Sequence, residues 1–207
     1  MCSLSVRLPA AWVGRLAMLL VSRIAGRRPP DFVVGATDPA GPYLQRWFIT
    51  PWRRWGEPDA RRWWQRAFAP LWRRLPNLYL HKFLRDDDDR ALHDHPSFGV
   101  SLILLGHYIE HTIAAGGIHQ RREYHAGTLR FMPTRHAHRI ELPRSRAPNL
   151  ETLVPKWNEN PTPCWTLFMF GPRVREWGFH CPHRGWVPWA DFTAEGRPGE
   201  IGPGCDA

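Results

Sequence analysis

The sequence predicts an all-β core preceded by an N-terminal helical extension, on three observations. From Asn77 onward, apolar runs of strand length recur at short intervals, broken at Ala114-Ala115-Gly116-Gly117, at Ala126-Gly127 and between Pro143 and Pro148. That rhythm suits antiparallel strands closing into a barrel. The run Cys164 to Phe170 is apolar on both faces, as a buried strand would be. Ahead of these, Ala10 to Ala25 is apolar but interrupted by Arg15 and Arg23, the pattern of an amphipathic helix. A chain of 207 residues can bury one good core, so a single domain is the default.

The uninterrupted part of the helical stretch, Leu16 to Val21, is far short of the roughly twenty residues that span a bilayer. Its arginines interrupt and follow the apolar run, whereas a signal peptide carries its positive charge in front. The helix is expected to pack on the domain, with peripheral contact along a membrane surface as the alternative. Breakers at Arg27-Arg28-Pro29-Pro30 and Asp38-Pro39-Ala40-Gly41-Pro42 make residues 26–42 a connector. From Tyr43 to Leu75 tryptophans interleave with arginines. Guanidinium groups lying over tryptophan faces explain that mixture better than stacking on bases. The acidic run Asp86 to Asp89 lacks the alternation and the glycine of a calcium loop, and is expected to be solvated. The aromatic stretch Trp177 to Trp189 should wrap the barrel, and Gly and Pro after Glu195 mark a flexible end. The expected organisation is therefore 1–42 helix and connector, 43–76 Arg/Trp-rich segment packed on the barrel, 77–194 barrel and wrapping segment, and 195–207 tail.

The formal net charge is +9, almost all of it from arginine, since only Lys82 and Lys156 are lysine. No nucleic-acid-binding motif accompanies the charge, so nucleic acid is not expected as a partner, and a small acidic substrate fits it equally well. The four cysteines, Cys2, Cys164, Cys181 and Cys205, have no paired spacing, which suits a reducing, cytoplasmic compartment. His180-Cys181-Pro182-His183 lacks a second cysteine pair and reads as ordinary loop rather than as a zinc site.

The stretch that carries chemistry is Ala91-Leu92-His93-Asp94-His95-Pro96, answered by Met132-Pro133-Thr134-Arg135-His136-Ala137-His138-Arg139. Side chains alternate along an extended strand, so His93 and His95 share a face while Asp94 points away. His138 would complete a three-nitrogen face on a metal ion with positions left open. Neutral imidazoles suit iron(II), nickel, copper, zinc or manganese, and ligand type alone does not choose among them.

These residues resemble the two cupin motifs. His93, His95 and Gly106 stand at the places of the first, with Gly99 where a glutamate is usual. Gly127, Pro133 and His138 match the second, with Arg135 in place of its inner glycine. The likeness covers about residues 77–172, and it implies a double-stranded β-helix, the cupin or jelly-roll barrel. The signature Tyr79-Leu80-His81 with Leu92-His93-Asp94-His95-Pro96 is similar to that of uncharacterised bacterial and phage cupins. More distantly, an uncharged three-histidine face resembles the thiol dioxygenases, which implies Fe(II) and an oxidoreductase acting on a small anionic or thiol-bearing substrate. Phe168 and Phe170 stand where those enzymes carry a histidine and a tyrosine.

Around the metal ligands His93, His95 and His138, the candidate catalytic groups are His81, Glu110 and Tyr108. Arg130 and His136 are candidates for binding the substrate, Arg130 by clamping a carboxylate. The expected function is a non-haem iron dioxygenase. The alternatives are a metal-dependent isomerase, lyase or hydrolase in which His81 or Glu110 moves protons, and a non-catalytic ligand-binding module. A homodimer through an unpaired barrel edge is also expected.

Overall fold

Alternation along the strands puts one face of each into a core shared by two facing sheets. A computed structural model of the chain describes residues 4–52, 62–72, 74–87, 91–144, 146–148, 155–157, 161–194, 196–197, 199–200 and 202–205. The N-terminal part holds strand β1 (Leu4–Arg7), helix α1 (Ala10–Leu20), and strands β2 (Phe32–Val34), β3 (Leu44–Phe48) and β4 (Asn77–Phe83). Next come β5 (Leu92–His93), β6 (Gly99–Leu105), β7 (His107–Ile113), β8 (His119–His125), β9 (Thr128–Met132) and β10 (Arg139–Glu141). The remainder are β11 (Arg146–Pro148), β12 (Pro155–Trp157), β13 (Cys164–Phe170), β14 (Gly178–Cys181) and β15 (Gly185–Pro188).

Seven strands form an antiparallel sheet in the order β1-β9-β6-β13-β4-β3-β2, and a second sheet runs β10-β7-β8. One core joins them: Leu44, Phe83, Ile103 and Cys164 from the large sheet meet Tyr108, Tyr124 and Ile140 from the small one. Gly106, at φ +78°, makes the sharp turn from β6 into β7 that brings the sheets face to face. A third sheet, β15-β14-β5, closes one end. The core is all-β with an N-terminal helix, as expected, but hydrogen bonding divides the described strands among separate sheets instead of closing them into one barrel.

Helix α1 covers the other face of the large sheet. It turns Val13 and Ala17 onto Trp47, Leu80, Leu102 and Leu104, which alternate away from the inter-sheet core. It continues into a π-helical turn, Val21–Ala25, where the Gly26 amide donates to the Val21 carbonyl at 2.8 Å. Trp12, Met18 and Leu19 stay exposed on its outer side, with Arg15 and Arg23 among them.

Several expectations are corrected. The large sheet crosses the boundaries drawn at residues 42 and 76, because β1 pairs with β9 and β3 with β4. Trp47, expected in a segment packed on the barrel, lies within the sheet itself, in strand β3; residues 53–61 and 73 of that segment fall outside the described residues. Asp86 and Asp87 are not merely solvated: their carboxylates accept the backbone N–H groups of Leu142 (2.6 Å) and Ile140 (2.7 Å). The described tail residues are tied down, since Gly35 N–H donates to the Gly199 carbonyl and Thr37 to the Glu200 carboxylate. Cys181 and Cys205 form a disulfide across 24 residues, contrary to the unpaired cysteines expected from spacing, and a bonded pair is the habit of an oxidising compartment. Cys164 is buried and free.

Candidate metal centre

His93 and His138 exchange both backbone hydrogen bonds, at 2.9 and 3.0 Å. Residues paired in this way across an antiparallel bridge send their side chains out on one side, and the two rings lie 4.9 Å apart. His95 lies two residues past His93 on the same side, its amide held by the Thr134 carbonyl at 3.2 Å. Its ring centroid is 5.0 Å from that of His138 and 5.2 Å from that of His93. Asp94 points away and is buried, accepting from the Gly178 amide (2.9 Å), Trp186 Nε1 (3.2 Å) and Arg175 (2.8 Å). It thereby locks the β14–β15 hairpin against the segment that carries the two histidines.

One ligand nitrogen from each of the three rings falls in a group whose members all lie within 4.8 Å of one another. Nε2 of His95 and Nε2 of His138 are 2.9 Å apart. Two metal–nitrogen bonds of about 2.1 Å at a right angle put their nitrogens about 3.0 Å apart, so the pair fits a shared divalent ion. Burial drives the pKa of His93 down to about 4, against the pull of Asp87, and drives that of His95 well below its usual value, with the neighbouring histidines adding to it. Neutral imidazole is the form that binds metal.

Glu110, on β7, meets the far side of the His138 ring. Its Oε1 lies 2.6 Å from His138 Nδ1 and 3.0 Å from His136 Nε2, while Arg130 Nη2 reaches both carboxylate oxygens at 2.6 Å. Burial opposes the charge of Glu110. Hydrogen bonds from His136 and His138, with the charges of His138 and Arg130, outweigh it and hold the carboxyl far below the usual range. An ionised carboxylate only accepts, so His138 Nδ1 carries a proton, which in a neutral ring leaves the Nε2 lone pair facing His95. Glu110, His136 and His138 also form a compact donor group. A cation there would stand beside the Arg130 guanidinium, and that repulsion favours the three-histidine group.

The structure gathers His93, His95, His138, Glu110, His136, Arg130 and Tyr108 into one network. The carboxylate that Arg130 holds is the protein's own: its Nη1 also donates to Tyr108 Oη at 2.7 Å, and its guanidinium lies 3.9 Å over the Tyr124 ring. Burial raises the Tyr108 pKa to about 12. His81 sits apart, stacked on Phe168 (5.2 Å) and Tyr79 (5.7 Å), while Phe170 comes within 5.5 Å of His95. Arg46 Nε donates to His81 Nε2 at 2.9 Å, which leaves the proton on Nδ1. That Nδ1 and the hydroxyl of Thr166, its partner across β4 and β13, are buried without a hydrogen-bond partner among the described residues. Two contributors escape a reading of the sequence. Asp87 brings Oδ2 to 3.7 Å from His93 Nδ1, yet nothing in a run of four aspartates singles it out. Arg46 is one arginine among many.

No family model matches the chain, and neither does any curated protein. Solved structures do. The Lactobacillus farciminis oxalate decarboxylase–formate complex is 14% identical over 72% of this chain and 32% of its own, with a TM-score of 0.39. A tryptophan-to-tyrosine variant of the Bacillus subtilis oxalate decarboxylase is 13% identical over 76% of this chain and 31% of its own, at 0.41. A third structure, from work on the Mn(II) centres of the same B. subtilis enzyme, is 14% identical over 76% and 31%, at 0.40. This chain thus spans about a third of each of those proteins.

The expectation of an iron dioxygenase, an oxidoreductase, is corrected. It rested on an uncharged three-histidine face, and that face is backed by the ionised carboxylate of Glu110. Gly99 does not mark a lost charge either. A Cβ there would meet Phe168 Cζ at 2.9 Å and Met132 Cε at 3.3 Å, so with these two side chains where they stand the space at Gly99 is already taken.

Proposed function

We propose that the chain is a metal-dependent lyase, isomerase or hydrolase acting on a small anionic substrate, with His93, His95 and His138 holding a divalent ion such as manganese or zinc. The observation that carries this reading is the His138 ring, placed between His95 Nε2 at 2.9 Å and Glu110 Oε1 at 2.6 Å. A carboxylate behind a ligating imidazole fixes its tautomer and its aim. A bound divalent ion would supply Lewis-acid polarisation of a substrate oxygen.

The charge balance supports an anionic substrate. Glu110 and Arg130 neutralise each other, and His93 and His95 are neutral, so a divalent ion set against the nearby Asp87 carboxylate would still leave positive charge for the ligand to compensate. Glu110 is assigned a positioning role, because a carboxyl held so firmly ionised is a poor proton carrier. His81 Nδ1–H and the Thr166 hydroxyl, buried and without a partner among the described residues, are assigned to binding the substrate.

The test is turnover of small mono- and dicarboxylates by protein loaded with Mn(II) or Zn(II) under anaerobic conditions. Turnover without dioxygen supports the reading, and turnover that requires both dioxygen and iron overturns it. A ligand-binding module would instead keep its affinity for the small molecule after His93→Ala and show no turnover.

A second, separate reading concerns α1. Its exposed Trp12, Met18 and Leu19 beside Arg15 and Arg23 form the kind of face that lies on an anionic membrane surface. Among the described residues no helix is long and apolar enough to cross a membrane.

A further inference from the structure

The outer face of the small sheet carries a different set of ligands. Tyr108 and Glu110 point inward from β7, so His107 points outward, and Tyr124 inward from β8 sets Glu123 and His125 outward. His107 and His125 are cross-strand partners whose rings stack at 5.0 Å and 23°. Both aim Nε2 at one oxygen: His107 Nε2 is 3.1 Å and His125 Nε2 is 3.4 Å from Glu123 Oε1. The three ligand atoms all lie within 4.8 Å of one another.

We propose that His107, Glu123 and His125 form a second metal site, separate from the interior cluster, that takes zinc(II). A tetrahedral zinc ion with bonds near 2.05 Å needs its ligand atoms about 3.3 Å apart, and the two nitrogen–oxygen separations already bracket that value. The ladder of β7 and β8 is paired along all seven residues of each strand, so the ligands are held by a rigid hairpin and little order has to be imposed on binding. Two imidazoles and one carboxylate suit zinc better than magnesium or calcium, which prefer all-oxygen sets.

A neighbouring trio on the same face shows what a non-converging arrangement looks like. His111 Nδ1 lies 2.9 Å from His119 Nε2, but His111 Nε2 is engaged by Glu141 at 2.7 Å. The two contacts use opposite sides of the ring and make a hydrogen-bonded chain with no common centre. At the His107 site the nitrogens converge. Three protein ligands leave the fourth tetrahedral position open to water or to a donor from another molecule.

The test is equilibrium dialysis of the full chain against zinc(II), with bound metal counted per chain for the wild type, Glu123→Ala/His125→Ala and His93→Ala/His95→Ala. The side chains of Glu123 and His125 are about half exposed, so the first variant keeps its fold, which circular dichroism checks. It is expected to bind one zinc fewer than the wild type, and the second variant is expected to keep that zinc. Cobalt(II) offers a second readout: the tetrahedral visible absorption assigned to the hairpin disappears in the first variant. Wild-type stoichiometry with an unchanged cobalt spectrum in the hairpin variant overturns the proposal. If the interior cluster fails to bind zinc, the wild type binds one and the hairpin variant none, so the two readings fail separately.

Discussion

His138 Nδ1 and Glu110 Oε1 stand 2.6 Å apart, and the same carboxylate is gripped by a fully buried Arg130. The aim of one metal-ligating ring therefore depends on an ion pair 20 residues apart in sequence. Glu110→Gln should weaken divalent metal binding by about 10- to 100-fold, the usual loss when the group behind a ligating histidine is removed. Competition against a chelator measures it, and unchanged affinity would show that Glu110 does not orient His138.

Arg130→Met leaves Glu110 buried and unpaired, and should destabilise the fold by about 3–5 kcal/mol in urea. The double variant Arg130→Met/Glu110→Gln removes both charges and should cost less than the two single changes added together. Strict additivity would contradict the pairing.

Stability should fall as the pH drops below about 6.5. Burial, and then the charge of Arg46, hold His81 well below its ordinary value, and burial brings His93 to about 4. In the unfolded chain both groups titrate near 6.5. The unfolded state therefore binds more protons between those values, so the contribution is present above about pH 6.5 and lost towards pH 4. Urea titrations of the metal-free protein from about pH 5 to about 7.5 should show this slope, and it should be shallower in His81→Phe. Equal slopes would place the titrating groups elsewhere.

Part of this was legible in the sequence because the physics is local. The alternation in His93-Asp94-His95 foretold that those two rings share a face, the motif resemblance offered His138 as their third, and the arginine-interrupted run foretold α1. What was not legible depends on distant pairing. The sequence singles out nothing in Leu4–Arg7, which becomes a strand because β9 offers it an edge. Glu110 could be placed inward by alternation, but its grip on His138, 28 residues later, depends on how the two sheets face. Gly99 stands where a glutamate is usual, and the sequence does not show that the Phe168 ring lies against that position. The Cys181–Cys205 bond has no spacing signature at all.

Vesicles bearing anionic lipid should retain the protein at low salt and release it as the salt concentration rises. Trp12→Ala/Met18→Ser, which alters only the exposed side of α1, should abolish sedimentation with vesicles while leaving the melting temperature unchanged. Retention of the variant would sink the membrane reading.

The most direct measurement is elemental analysis of the chain after exposure to Mn(II) or Zn(II), made on the Glu123→Ala/His125→Ala background so that the hairpin ligands are silent. The account predicts one divalent ion per chain, reduced to near zero by adding His138→Ala with the fold intact. Full occupancy in that variant, or none without it, would contradict a centre built on His93, His95 and His138.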